Sequence, residues 1–358
     1  DDGTITSCLQ LKKYINISDH KFIAKETIKG IPELPVKFYG QGKILCAELI
    51  RSEVIADQET PKEQIRGIVT SPVQINENGI VTSCTNFRTL DELGFYEYSG
   101  TEELPIILDE NGIVTSCAEF TRYEYVNNKM LVAGIFKGVS GSPIMVNNGV
   151  VTSCASFKKP RSISDQAIFY EYNSSTESPI EFDENGKISS CAELIIYESM
   201  GEQEFLKEKF SSHSGSSVTI GEDGEAISFT KLKRPESLGN ESFMEEYLGT
   251  AEMPILRDEN DTVRSCAEFV KSEMIDGKSF PKEKYSGKSS TAVTIDENGI
   301  VRSYVQFGKY EINGEKVFAK EKVYGTAKIP ALNDESGEVI SFNKLKYGQI
   351  IDDVLSVV

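Results

Sequence analysis

The feature that most constrains this chain is internal repetition. A ten-residue stretch, Asn111-Gly112-Ile113-Val114-Thr115-Ser116-Cys117-Ala118-Glu119-Phe120, returns with small changes along the whole sequence. Its central position falls at Cys8, Cys46, Cys84, Cys117, Cys154, Cys191, Phe229, Cys266, Tyr304 and Phe342, at intervals of 38, 38, 33, 37, 37, 38, 37, 38 and 38 residues. Three residues after each centre stands a large apolar side chain: Leu11, Leu49, Phe87, Phe120, Phe157, Leu194, Leu232, Phe269, Phe307 and Leu345. A period of this size marks an array in which each repeat buries its apolar face against its neighbours.

Each repeat reads as three strands divided by turn chemistry. The Cys segment, as in Ile113 to Tyr125, is rich in the β-branched and aromatic residues that suit a pleated ribbon. Turns such as Ile275-Asp276-Gly277-Lys278 and Ile312-Asn313-Gly314-Glu315 then signal a hairpin. The second strand has the form Phe205 to Phe210, recurs at Phe280 to Tyr285 and Phe318 to Val323, and ends at Gly or Ser. A third opens with Pro (Pro35, Pro72, Pro105, Pro143, Pro179, Pro254, Pro330), which is tolerated at the first residue of a strand. It closes at Asp-Glu-Asn-Gly, as in Asp109 to Gly112.

The repeats come in two flavours. Those centred on Cys84, Cys154 and Phe229 have a longer first loop and approach Pro through Thr and Glu, as in Thr101-Glu102-Glu103-Leu104-Pro105; those centred on Cys46, Cys117, Cys191 and Cys266 have a shorter turn. Three strands per repeat explain the alternation, since an odd number points neighbouring repeats in opposite directions. The fold class expected is therefore all-β: a tandem-repeat antiparallel meander of three strands per repeat, two alternating types, curled into a solenoid-like or superhelical array because one flat sheet of that many strands is unstable. Residues 1–345 hold nine full repeats and the start of a tenth, and 346–358 form a cap or tail without second and third strands. The chain starts mid-motif at Asp1 rather than Met, an arrangement expected of an array that continues upstream.

Chemistry is scarce. The net charge of −18 disfavours nucleic acid and anionic lipid, and no apolar run is long enough for a spanning helix, so membrane insertion is not expected. All seven cysteines share one repeat position that Phe229, Tyr304 and Phe342 fill elsewhere. That favours a buried packing column over disulfides, and no Cys-x-x-Cys points to zinc. The Asp-Glu-Asn-Gly corners could hold calcium but lack the alternating ligand spacing, and a hairpin needs the same residues. Glu48, Glu119, Glu193 and Glu268 follow the Cys by two residues. Carboxylates printed in repeat after repeat serve the array rather than a glycosidase pair. His20 and His213 fall at unrelated points, and phosphate-binding glycine motifs are absent. Asn16, Asn173 and Asn240 match the glycosylation acceptor pattern.

One binding candidate remains. Tyr96, Tyr98, Tyr170, Tyr172, Tyr247 and Tyr285 alternate with charged residues in the second strand, and an exposed row of such rings is a platform for sugar or peptide. The competing reading packs one member of each pair inward. The sequence thus leads to a non-catalytic structural or adhesive protein without cofactor or metal, acting as a spacer or presenting a long face to protein or glycan. The alternatives are a carbohydrate- or peptide-binding module using those rings, and a filament subunit associating head to tail. The cell exterior is the expected location, with the cytoplasm as the alternative that unpaired thiols support.

Overall fold

Between one repeat centre and the next the chain makes four strands, where the sequence reading expects three. After Cys46 these are Glu48–Ile55 and Gln58–Arg66, a long hairpin, then Val73–Ile75 and Val81–Ser83, a short one. The miscount has a local cause, because the Cys segment is two strands rather than one. Ile44–Cys46 ends at the centre, Glu48–Ile55 begins two residues later, and Ala47 lies between. The Ala47 N–H donates to the Lys29 carbonyl and its own carbonyl accepts from Gly67 N–H, so this residue shifts the chain from one layer to another. Thr85, Ala118, Ala267 and Val305 make the same pair of bonds. An even strand number points successive repeats the same way, so the reversal expected from three strands is absent and the two flavours need another cause.

This computed structural model describes residues 7–18, 21–55, 58–91, 94–126, 129–147, 150–161, 168–183, 186–200, 203–213, 216–238, 241–276, 278–313, 316–351 and 354–357. His20, Asn240, loop residues 162–166 and the turn residues Gly277 and Gly314 lie outside them. The chain divides into two compact bodies, Asp1–Cys191 and Ala192–Val358. All described structure is β apart from a single helical turn at Gly40–Gly42, and no helix is long and apolar enough to cross a membrane.

In the first body the long strands form an antiparallel meander from Gln10–Ser18 to Ile168–Asn173, each paired with the next. Among the described residues Gln10–Ser18 pairs only with Lys21–Lys29, so the sheet keeps an edge and does not close into a barrel. The second body carries a like meander from Glu193–Met200 to Lys344–Ile351. The expected tail without a second strand is corrected here: Val354–Val357 pairs back onto Gly348 to Ile351.

The short strands make separate sheets over the long ones. The first body has one of five strands, from Ser7–Cys8 to Val81–Ser83, and one of four, from Ile107–Leu108 to Val150–Ser153. The second has one of six, from Leu256–Arg257 to Val339–Ser341. The core lies between the layers. Across the first meander one row of facing residues runs Leu11, Ile28, Leu49, Ile65, Phe87, Tyr98, Phe120, Phe136, Phe157, Tyr172. In the second it runs Leu194, Phe210, Leu232, Tyr247, Phe269, Tyr285, Phe307, Val323, Leu345. Every apolar residue three places after a centre stands in one of these rows. The rings stack: Tyr98 on Phe120 at 4.6 Å and 10°, Phe136 on Phe157 at 4.1 Å and 13°. Directly facing aromatic pairs add about 0.5–1.5 kcal/mol each beyond the area they bury.

Long strands end at glycine for a reason of space. A Cβ on Gly67 would lie 2.4 Å from the Val73 nitrogen, and one on Gly30 2.6 Å from that of Val36, so the short strand crosses directly over the glycine.

Candidate functional site

The tyrosines picked out as a binding row are not on the surface. Tyr98, Tyr170, Tyr172, Tyr247 and Tyr285 are all buried, and Tyr96 is half-buried. The strand register is the cause: Tyr98, Tyr172, Tyr247 and Tyr285 are members of the core rows, and Tyr170, two residues from Tyr172 on the same face, meets it edge-on at 6.4 Å. The phenols turn towards carboxylates, with Tyr247 Oη donating to Glu245 at 2.7 Å and Tyr285 Oη to Glu283 at 3.3 Å. Burial first, then the neighbouring Glu, pushes both phenols far above the usual tyrosine range.

The repeat centres form an inward position on the short layer. Cys46, Cys84, Cys117, Cys154, Cys191 and Cys266 are buried and Cys8 is half-buried; all seven are free thiols. Burial pushes the thiols of Cys46, Cys84, Cys117, Cys154 and Cys266 up to about 12, which leaves them protonated and unreactive at neutral pH. The substitutes fare differently. Tyr304 is buried opposite Ala331, where Cys117 faces Ile144, so the partner shrinks as the centre grows. Its hydroxyl donates to Asn333 Oδ1 at 3.0 Å, and Asn333 Nδ2 donates to the Val301 carbonyl at 2.9 Å, which satisfies the buried amide. Phe229 is half-buried and Phe342 exposed, so neither fills the position as the buried thiols and Tyr304 do.

The corners are committed to their own turns. Asp109 Oδ1 accepts from the backbone N–H of Asn111 and Ile113, both at 2.9 Å, and Gly112 takes a φ of 80°. Asn76, Asp258, Asp296 and Asp334 repeat the arrangement. The Ile113 N–H is the main cause that holds the Asp109 carboxyl below its ordinary range.

Glu48 sits in a cross-strand cluster with Lys29 and Arg66, both at 2.9 Å, and Gln64 at 2.7 Å. Burial works against its charge, but those three donors outweigh it and keep the carboxyl low.

A second row on the same face, two residues beyond the apolar one, is charged and absent from the sequence reading. Lys13, Glu26, Arg51 and Glu63 face one another in turn, as do Arg234, Glu245, Lys271, Glu283, Lys309 and Glu321. Cations come from the first long strand and carboxylates from its return. The signal was in the sequence, as a basic residue two places after the apolar position and an acidic one two places before its partner. Arg51 also donates to the carbonyl of Gly79, and Arg234 to that of Asp261, which ties the row to the short hairpins.

The two flavours of repeat differ at the joint where the centre meets the incoming third segment. In short-turn repeats the joint is a ladder: Cys46 faces Val73, Cys117 faces Ile144 and Cys266 faces Val293. The segment enters through a turn closed by two backbone bonds, as between Val139 and Ser142. In the other flavour a hydroxyl replaces one bond: Thr101 Oγ1 accepts from Leu104 N–H at 3.0 Å, Ser175 Oγ from Ser178 at 3.0 Å and Thr250 Oγ1 from Met253 at 3.1 Å. Among the described residues Cys84 then keeps a single bridge to Ile106, while Cys154 and Phe229 have no strand partner.

These weak joints are filled differently. At Phe229 the Arg257 guanidinium lies 5.1 Å from the ring and donates to the Ala226 carbonyl. At Cys154 a groove of about 760 Å³ opens between the turn at Ser140 and the segment from Asn173 to Pro179, with the buried thiol in its wall. No lining residue is charged, whereas the clefts along the charged rows include Lys13, Glu26, Arg51 and Glu63 in the first body and Glu245, Lys271 and Glu283 in the second.

No protein-family model and no curated protein matches the chain. Among solved structures it is similar to a porin-like protein from Bacteroides uniformis, with 13% identity over 77% of this chain and 92% of that one, at a TM-score of 0.15. A putative 6-phosphogluconolactonase from Bacteroides fragilis aligns with 9% identity over 100% and 99% of the two chains, also at 0.15. Scores this low carry no argument about fold or activity.

Proposed function

We propose that this chain is a non-catalytic structural or adhesive protein, a stiff β array that acts as a spacer and presents a long face to a partner. One observation carries the reading: the side chains that could do chemistry are committed to holding the array together. Thiols pack between layers, Tyr98, Tyr172, Tyr247 and Tyr285 stand in the core rows, corner carboxylates close their own turns, and Glu48, Glu193 and Glu268 pair across strands. The solenoid-like or superhelical course, the exterior location and a protein or glycan partner belong to the same reading. The unpaired side of Gln10–Ser18 favours head-to-tail association as a second mode, which concentration-dependent light scattering tests.

Small-angle scattering on the full chain tests the main reading. A compact chain of this length has a radius of gyration of roughly 20 Å. A stiff array gives a clearly larger value with the profile of a rod or coil, and a value near 20 Å overturns it.

A further inference from the structure

The groove at Cys154 is lined unlike the other joints, and three features coincide there. The first is Ser174. The corresponding residue is Gly30, Gly67, Gly100, Gly138, Gly249, Gly287 or Gly325 in other repeats and Ser212 in the one centred on Cys191, and a Cβ at any of those glycines would come within 2.4–2.9 Å of backbone in the segment that follows. Ser174 still donates its backbone N–H to the Ala155 carbonyl at 2.8 Å, as those glycines do to their own partners, and adds a hydroxymethyl group to the groove wall. The second is Ser156. Its place is taken by Glu48, Glu119, Glu193 and Glu268 in short-turn repeats, so a long carboxylate gives way to a small hydroxyl where the groove needs space. The third is an open mouth: at Phe229, the other centre without a strand partner, the Arg257 guanidinium covers the ring, and no charged side chain lines the groove at Cys154.

The lining decides the chemistry. Ser142, Ser156, Asn173, Ser174 and Thr176 offer hydroxyls and an amide that donate and accept in several directions, and Val139 and Pro179 add small apolar faces. A charged ligand finds no counter-ion, and a wholly apolar one leaves these groups unmatched. The volume lies within the range of small-molecule sites. We propose that the groove binds a neutral polyhydroxylated ligand, a sugar unit of a glycan, with hydroxyl and amide hydrogen bonds around the ring and Val139 and Pro179 against its C–H face. This rests on the face-presenting half of the proposed function and moves the contact from the buried tyrosines to an uncharged joint.

The test is saturation-transfer NMR on the full chain with maltose, cellobiose and lactose, and with digalacturonate as the anionic counterpart. At least one neutral disaccharide gives saturable transfer and digalacturonate gives none. Ser174→Gly restores the residue used at other joints, and Ser156→Glu restores the carboxylate; each weakens binding about tenfold or more, the scale of one or two lost hydrogen bonds. Ser83→Glu, on a different short hairpin, leaves binding unchanged. Transfer from none of the three neutral sugars, or binding indifferent to both groove substitutions, overturns the proposal. Scattering from the array does not depend on these residues, so failure here leaves the spacer reading intact, and a compact envelope leaves the groove intact.

Discussion

The joints at Cys117 and Cys154 are built from the same motif one repeat apart, yet one is sealed and the other open. At the first, Cys117 faces Ile144 in a ladder, and the segment passes over Gly138 so closely that a Cβ there would lie 2.9 Å from the Ile144 nitrogen. At the second, Ser174 replaces that glycine, the ladder is lost and a groove of about 760 Å³ remains. The centre is buried in both, so burial of the thiol does not depend on the ladder. The long sheet holds the core row at either joint, and the short layer is free to vary above it.

Truncating the core behind each joint should separate them most. Phe120 is 3% exposed behind the sealed joint, and Phe157 is half-buried behind the open one. Phe120→Ala is expected to cost about 3–5 kcal/mol and Phe157→Ala roughly half of that, read from urea midpoints. Equal losses would mean that the short layer contributes nothing to packing.

Filling the sealed crossing comes next. Gly138→Ala forces backbone apart and is expected to destabilise by about 1–3 kcal/mol, whereas Ser174→Ala should stay within about 0.5 kcal/mol. Thermal melts of both variants check this.

Thiol labelling followed peptide by peptide should sharpen the contrast. Both thiols are pushed up to about 12, so each is protonated at pH 8 and labelling accelerates as pH rises towards that value. Cys154 has no ladder to break before it meets reagent, and should react about tenfold faster than Cys117, a difference of roughly 1.4 kcal/mol in opening.

The smallest effect is electrostatic. The Glu48 carboxyl is held below its ordinary value in the folded chain, so its contribution is present above the usual carboxylate range and fades as pH falls through the folded pKa. Glu48→Gln should flatten the acid side of the stability profile by under about 1 kcal/mol, given its partly exposed partners. Ser156, at the same place in the open repeat, can give no such dependence.

Much of this was legible in the sequence. The position three after each centre predicts the core row because a strand puts alternate residues on one face and the period keeps that face in step. Pro, Asp-Glu-Asn-Gly and the terminal Gly predict where strands begin and turn. The strand number was not legible, because Ala47 and its counterparts look like ordinary strand residues and reveal the change of layer only through bonds to two long strands. The tyrosines misled for a related reason: alternation with charge tells that one face is apolar, and cannot tell which face a second layer covers.

Sequence alone determined that this protein is an all-β antiparallel meander with a fixed apolar register, since periodicity and turn residues act within one sequence repeat. Only the tertiary structure decided which joints seal, because the Phe229 joint keeps its glycine, Gly249, and still lacks the ladder that Cys117 makes with Ile144. Gly138 and Ser174 differ by a single hydroxymethyl group, and in closely packed layers a group of that size changes what the joint can hold.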